Sequence, residues 1–212
     1  MKWLKITGAI LLLFAAAFVV LTLAARSDGL PPRAIAAADA ELAVAPAARF
    51  VHHQGEARDM AFLPDGTLFG AGTDGRIEQI ESHGAPRGVI AHEGGVTSLA
   101  LSPDASLLAS AGYDRTVRLW RVSDGRLAGV LRGHGGTIWS VAWSPDGRWL
   151  ASAGEDKTIR IWRMRDLSVA HRLRGHELNI WSVRFSPNSR LLASGSFDHS
   201  IRLWMSAASF VT

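Results

Sequence analysis

From about residue 49 onward the apolar residues fall into short runs, each cut off by Gly, Pro, Asp or Ser. A run such as Leu107 to Ala111, then a Gly-containing turn ending in Asp114, then the β-branched run Thr116 to Trp120, reads as strand, turn and strand. Ser102-Pro103-Asp104, Ser144-Pro145-Asp146 and Ser186-Pro187-Asn188 put proline where a tight turn uses its fixed φ. Strands of roughly five to seven residues, four to a unit, follow from this punctuation.

The units repeat. His92, His134 and His176 lie 42 residues apart, and the same interval separates Ser110, Ser152 and Ser194, Asp114, Asp156 and Asp198, and Trp120, Trp162 and Trp204. Four residue types holding one spacing mark a repeat architecture. An earlier unit is degraded: His53, Leu63-Pro64-Asp65 and Asp74 fall in place with one residue deleted after Asp65, but Gly70 stands where Ser is expected and Ile80 where Trp is expected. Strands counted from Ala47–Val51 to the one ending at Trp204 number about sixteen, or four units. The repeats fall at about 49–90, 91–131, 132–173 and 174–212.

The amino-terminal stretch is different. Lys2 and Lys5 precede Ile6 to Ala25, twenty residues without a charge. A helix of that length spans about 30 Å, the thickness of a bilayer core. Residues 1–26 read as a signal anchor or a signal peptide: the length favours an uncleaved anchor, while Thr22, Ala24 and Ala25 allow cleavage. The two lysines favour a cytoplasmic amino terminus with the repeats outside the cytoplasm, on the periplasmic side of a bacterial-type membrane, although Arg26 and Arg33 pull the other way. Residues 27–48, rich in Ala and Pro, suit a linker, and 49–212 form the repeat domain.

Composition narrows the chemistry. Without cysteine there is no disulfide, thiolate nucleophile or lipid-anchored Cys. The net charge of +4 comes from arginines that are spread through every repeat rather than gathered in a block. They read as solvated strand faces rather than a phosphate-tracking patch, so no nucleic-acid partner is expected. Ser110, His92 and Asp114 have the types of a serine hydrolase triad, but the set occurs three times, each with a Trp six residues past the Asp. A single substrate pocket needs only one. The histidines of the repeats belong to different units, and His52-His53 cannot both face one way along a strand, so no metal site, cofactor or catalytic residue is assigned. A structural role explains the types directly. An indole N–H only donates, a hydroxyl accepts and donates onward, and imidazole passes the bond to a carboxylate. Trp120, Ser110, His92 and Asp114 would thus form one continuous chain.

Through Gly133-His134, Asp156, Ile161-Trp162 and the parallel sets in neighbouring units, residues 48 to 205 resemble the WD40 repeat family. The resemblance implies an all-β fold of WD40-type β-propeller blades, four-stranded and antiparallel, after the amino-terminal helix. Four blades fall short of the seven at which the family commonly closes. A shortened product, a half-ring that pairs with another chain through its open edges, and a four-blade closure are the three outcomes. In the family the tetrads His92, Ser110, Asp114, Trp120; His134, Ser152, Asp156, Trp162; and His176, Ser194, Asp198, Trp204 tie a blade's inner loop to its third strand. The narrow face would carry Thr137, Trp139, Asn179, Trp181, Gly95, Thr97, Tyr113, Glu155 and Phe197. Its aromatic load points to a protein partner. The expected function is a non-catalytic interaction scaffold; the alternatives are a small-ligand sensor or propeller enzyme, and a truncated fragment without function.

Overall fold

The computed structural model describes residues 55–80 and 87–205. Their strands fold into four antiparallel sheets, and no helix occurs among the described residues. The first sheet is β1 (Ala57–Phe62), β2 (Leu68–Gly72), β3 (Arg76–Ile80) and β4 (Arg87–Ile90); the second is β5 (Val96–Leu101), β6 (Leu107–Gly112), β7 (Val117–Arg121) and β8 (Leu127–Leu131). The third is β9 (Ile138–Trp143), β10 (Trp149–Gly154), β11 (Thr158–Arg163) and β12 (Ser168–Arg174). The fourth has three strands, β13 (Ile180–Phe185), β14 (Leu191–Ser196) and β15 (Ile201–Met205). Each is a meander in chain order. The sixteen-strand expectation therefore meets fifteen described strands, with the fourth sheet one strand short. The remaining candidate, Ala47–Val51, lies outside the described residues, as do the Ile6–Ala25 segment, the 27–48 linker and His52-His53.

Local chemistry builds the turns. The Ser102 hydroxyl donates to Asp104 at 2.6 Å and accepts the Leu107 N–H at 2.9 Å, while the Ala105 N–H closes the turn on the Ser102 carbonyl at 2.8 Å. The turn ends in a left-handed residue, Ala105 (φ 57°), Gly147 (φ 71°) or Ser189 (φ 58°). A left-handed non-glycine residue costs about 1–2 kcal/mol, so the hydrogen bonds around it must hold the turn.

The sheets have no polar face in the middle of the array. Every residue of β10 is buried, and β11 sends Ile159 and Ile161 to one side and Trp162 to the other. Three apolar interfaces result. Phe69, Ala71 and Ile77 of the first sheet meet Val96, Leu99, Leu108 and Trp120 of the second. Val117, Leu119 and Leu131 meet Ile138, Val141, Leu150 and Trp162. Ala151, Ala153, Ile159 and Ile161 meet Ile180, Val183 and Leu192. The first strands of successive sheets, β1, β5, β9 and β13, run side by side, but β13 makes no equivalent contact with β1.

Each first strand carries a β-bulge. The register against the second strand skips Arg58, Thr97, Trp139 and Trp181, one residue per sheet. A bulge bends its strand and re-aims the extra side chain. In the third sheet Gly154 makes room for it, since a Cβ there would lie 2.0 Å from the Thr137 carbonyl oxygen.

Ile159 is fully buried between two sheets. Ile159→Ala should cost about 2–5 kcal/mol, which at 2–4 °C per kcal/mol for a domain of this size lowers Tm by roughly 5–15 °C. Thermal denaturation followed by far-UV circular dichroism measures it.

Candidate functional site

The recurrent polar residues converge inside each of the last three sheets. In the second, Trp120 Nε1 donates to Ser110 Oγ at 2.9 Å, Ser110 Oγ lies 2.8 Å from His92 Nε2, and His92 Nδ1 lies 2.8 Å from Asp114 Oδ1. The third repeats this with 2.8 Å from Trp162 to Ser152, 2.8 Å from Ser152 to His134 and 3.0 Å from His134 to Asp156. The fourth does so with 2.8 Å from Trp204 to Ser194, 2.7 Å from Ser194 to His176 and 2.8 Å from His176 to Asp198. Donor logic fixes the direction. The indole can only donate, so the hydroxyl hydrogen points to Nε2, and the neutral imidazole carries its proton on Nδ1, facing the carboxylate.

Each carboxylate is a node. Asp114 also accepts the Thr116 N–H and hydroxyl, Asp156 those of Thr158 and the Gly135 N–H, and Asp198 those of Ser200 and the Glu177 N–H. Burial alone would raise the pKa of Asp114 and Asp156, but the imidazole and the converging donors outweigh it and hold both below the usual carboxylate range. Asp198 is lowered too, chiefly by the Ser200 hydroxyl. Burial pushes His92 below its ordinary 6.5 despite Asp114. The Thr and Ser two places after each Asp were not singled out in the sequence. Their 42-residue spacing carries the signal.

Distances of this kind match a hydrolase triad, yet accessibility does not. Ser110 and Ser152 are fully buried and Ser194 nearly so, and each Oγ already faces an indole N–H. A substrate carbonyl has no approach to such an oxygen. The arrangement can pass hydrogen bonds from a third strand to an inner loop and from there to the turn before that strand.

The arginines need a correction. Arg118 pairs with Asp114 at 3.0 Å, and Arg160, 42 residues on, is buried with its guanidinium on the Gly133 carbonyl. At this position of β7 and β11 arginine braces the loop instead of lying on a solvated face. In the first sheet Glu78 takes the same place, buried beside Arg76 with 3.8 Å between Oε1 and Nε. Its neighbour across β2 is Gly70, so no hydroxyl stands there to start a tetrad.

The narrow-face residues also come together. The Tyr113, Glu155 and Phe197 N–H groups bond the carbonyls of Gly95, Thr137 and Asn179 at 3.2, 2.8 and 3.0 Å, so each turn is tied to a loop. Glu155 Oε2 accepts the Thr137 N–H at 3.0 Å, which together with Thr137's other hydrogen bonding keeps its carboxyl below the usual range. Between these ties the bulge residues and turn residues form one row of rings. Centroids lie 5.6 Å apart for Tyr113 and Trp139, 4.8 Å for Trp139 and Trp181, and 4.7 Å for Trp181 and Phe197. Trp139 is half-buried in the middle of the row, whereas Trp181 is 40% and Phe197 50% exposed. Thr97, in the second sheet, is buried, its single hydroxyl hydrogen shared between the Ala111 and Ile138 carbonyls instead. Packing and exposure thus divide along the row.

Antiparallel meanders stacked face to face, three of the four braced by an indole–hydroxyl–imidazole–carboxylate chain, define a β-propeller-blade repeat protein. The family described as "WD domain, G-beta repeat" matches residues 84–121, 125–163 and 167–205, and the chain belongs to this WD40 family. Each matched stretch ends on a third strand and, in the first case, begins beside β4, so one sequence repeat closes one sheet and opens the next. Among relatives, the p21-activated protein kinase-interacting protein 1-like of Danio rerio is 34% identical over 80 residues, 37% of this chain and 22% of its own length. WD repeat-containing protein 86 of Homo sapiens is 44% identical over 43 residues, 20% of this chain and 11% of its own. Actin-interacting protein 1 of Drosophila melanogaster is 37% identical over 75 residues, 31% of this chain and 12% of its own. The chain thus spans between 11% and 22% of the length of these relatives, all eukaryotic.

Two outcomes follow. Asp156→Ala orphans the buried His134 Nδ1–H, at about 1–3 kcal/mol for an unsatisfied buried group, and releases the exposed Gly135 N–H to water. Its Tm should fall by roughly 5 °C or more in a scan beside the wild type. The pH dependence has a definite sign. His92 stays neutral when folded but takes up a proton when unfolded below about pH 6.5, and the lowered aspartates release theirs more readily when folded. The unfolded state therefore binds more protons in acid. Stability is full above about pH 7, declines through pH 6.5 on account of His92, and declines again below about pH 4 through the aspartates. Scans from pH 7.5 to 3.5 should show a falling Tm; a rise between 7.5 and 5 would contradict the neutral-His92 assignment.

Proposed function

We propose that the repeat domain, residues 49–212, is a non-catalytic protein-interaction module that grips its partner with the row Tyr113, Trp139, Trp181 and Phe197, flanked by Thr137, Glu155 and Asn179. The observation that supports this reading is the exposure of Trp181 and Phe197 at the end of a stacked row. Rings locked by their neighbours have little rotamer freedom to lose on binding, and large aromatics carry on the order of 2 kcal/mol or more at interfaces. Two relatives bear interaction with a protein in their names, a kinase and actin. The triplicate, buried hydroxyls favour a bracing role over hydrolysis, and the buried Arg160 favours it over phosphate binding.

The second part of the proposal is a tether. Ile6–Ala25 holds the domain at a membrane, as an anchor or before cleavage, with the lysine-bearing terminus in the cytoplasm and the repeats on the outer, periplasmic side of a bacterial-type envelope. Lys2 and Lys5 support this placement, against the opposing pull of Arg26 and Arg33. Fusion of alkaline phosphatase after Thr212 should give active enzyme, and activity only with a cytoplasmic reporter would reverse the orientation.

Peptides selected from a random library on the wild-type chain test the surface. Trp181→Ala should weaken them by about 30-fold or more, and Leu127→Ala, exposed on the edge strand β8, should leave them unchanged. Isothermal titration reads both. Ligands indifferent to Trp181→Ala and to Phe197→Ala would move the site elsewhere.

A further inference from the structure

The third sheet departs from the repeat where β11 meets β12. Arg160 stands directly opposite Arg172 there, and Thr158 opposite Arg174. Residues opposed across an antiparallel pair project on the same face, and positions two apart share it, so Arg160, Arg172 and Arg174 lie on one face of the sheet. It is the face that carries Trp162 toward the second sheet, and both sheets have all four strands. Arg172 and Arg174 are exposed, whereas Arg160 is buried. Like charges placed opposite one another on a sheet repel.

The second sheet avoids this. Arg118, 42 residues before Arg160, faces Val130 across the strands and pairs with Asp114 at 3.0 Å. In the third sheet Asp156 takes the place of Asp114, but its oxygens accept from His134, the Gly135 N–H and the Thr158 N–H and hydroxyl. None of the ion pairs among the described residues includes Arg160, Arg172 or Arg174. Burial, then the charges of Arg172 and Arg174, hold the Arg160 pKa below the ordinary arginine value against the pull of Asp156. The fold thus gathers positive charge on one face and supplies no counter-charge for it. Such a surface attracts and concentrates anions from solution.

We infer that Arg172 and Arg174 bind a phosphate dianion, the free ion or the terminal group of a phosphate monoester, over the fixed positive charge of Arg160. Arg160 keeps its place on the Gly133 carbonyl as the loop brace, and the two exposed arginines supply the grip. A guanidinium fork matches phosphate oxygens two at a time. Two exposed charges without a partner also match the nearly double charge of a monoester at neutral pH, where a diester carries only one. The site lies on the edge strand β12, and no residue of the aromatic row belongs to it.

The test is thermal denaturation of the full chain in a mild non-ionic detergent, with inorganic phosphate set against sodium chloride at matched ionic strength. Phosphate about tenfold above the Kd read by isothermal titration should raise the wild-type Tm by roughly 3–6 °C. Arg172→Val installs the residue type that the second sheet carries at Val130, so the sheet is expected to hold. That variant should melt above the wild type in chloride and show no rise with phosphate. Arg174→Gln should weaken phosphate by about 10-fold or more in the titration. A wild type that responds to phosphate no more than to chloride, or a response that survives Arg172→Val, would overturn the inference. Capture of the chain by vesicles containing phosphatidic acid, with no response to inorganic phosphate, would mean a surface that reads membrane charge at large, and would overturn it too. Trp181 and Phe197 are unchanged in both variants, so peptide binding by the aromatic row stands or falls separately.

Discussion

A sheet that is apolar on both faces cannot be stable in isolation, and that constraint organises this molecule. Water is excluded from β10 only because β6 and β7 lie on one side and β13 and β14 on the other. Local hydrogen bonding makes each meander, but the hydrophobic gain from burying Ile159, Ile161 or Val117 appears only when the next sheet arrives. Stability is therefore a property of interfaces, and the 42-residue period is its record in the sequence. Whatever folds one such interface folds the next. The same logic leaves the array with two unsatisfied faces wherever it is not continued.

Within a sheet the polar chain sets the geometry that the apolar contacts then use. Apolar burial is non-directional and would tolerate a sheet sliding by a residue or tilting against its neighbour. The Trp120–Ser110–His92–Asp114 chain does not, because each donor has one acceptor at hydrogen-bond distance. It joins the third strand, the second strand, the loop before the first and the turn between second and third. The first sheet lacks Ser and Trp at the corresponding places and carries Glu78 where its neighbours carry arginine. It is held to the array by Asp59, whose two oxygens take the Met60 and Leu99 N–H groups. A carboxylate with two acceptors thus does in the first sheet what a serine hydroxyl does in the later ones.

The period, the turns and the residues of the tetrads were legible because they depend on type and spacing alone. Ser-Pro-Asp announces its turn, and a Trp six residues beyond an Asp announces a third strand. The aromatic row was legible only as a set of positions. Its continuity depends on a bulge in each first strand, which no composition rule marks: Thr97, Trp139 and Trp181 look like ordinary alternating strand residues, and the skipped register that re-aims them is visible only in the pairing. Arg160 was misread because a charged residue on a strand is usually solvated, whereas here a backbone carbonyl waits for it inside the sheet. Asp59 was missed because it matches Ser98 only across the deletion that follows Asp65, and because the bond it makes joins two sheets.

Bracing and surface are one system for a geometric reason. Tyr113 belongs to the second sheet, Trp139 to the third, and Trp181 and Phe197 to the fourth, so the row exists only while three sheets keep their mutual angles. Ring pairs at these separations contribute about 0.5–1.5 kcal/mol each, enough to favour one arrangement without enforcing it against a loosened interface. Enforcement falls to Asp156 and Asp198, which fix the turns bearing Glu155 and Phe197, and to the ties from those turns to Thr137 and Asn179. A residue deep in a tetrad therefore acts on the surface through position, without touching whatever binds there. The surface thus depends on the spacing between sheets as well as on its individual side chains, which is why a fold built from repeated braces can present a surface that is different at every blade.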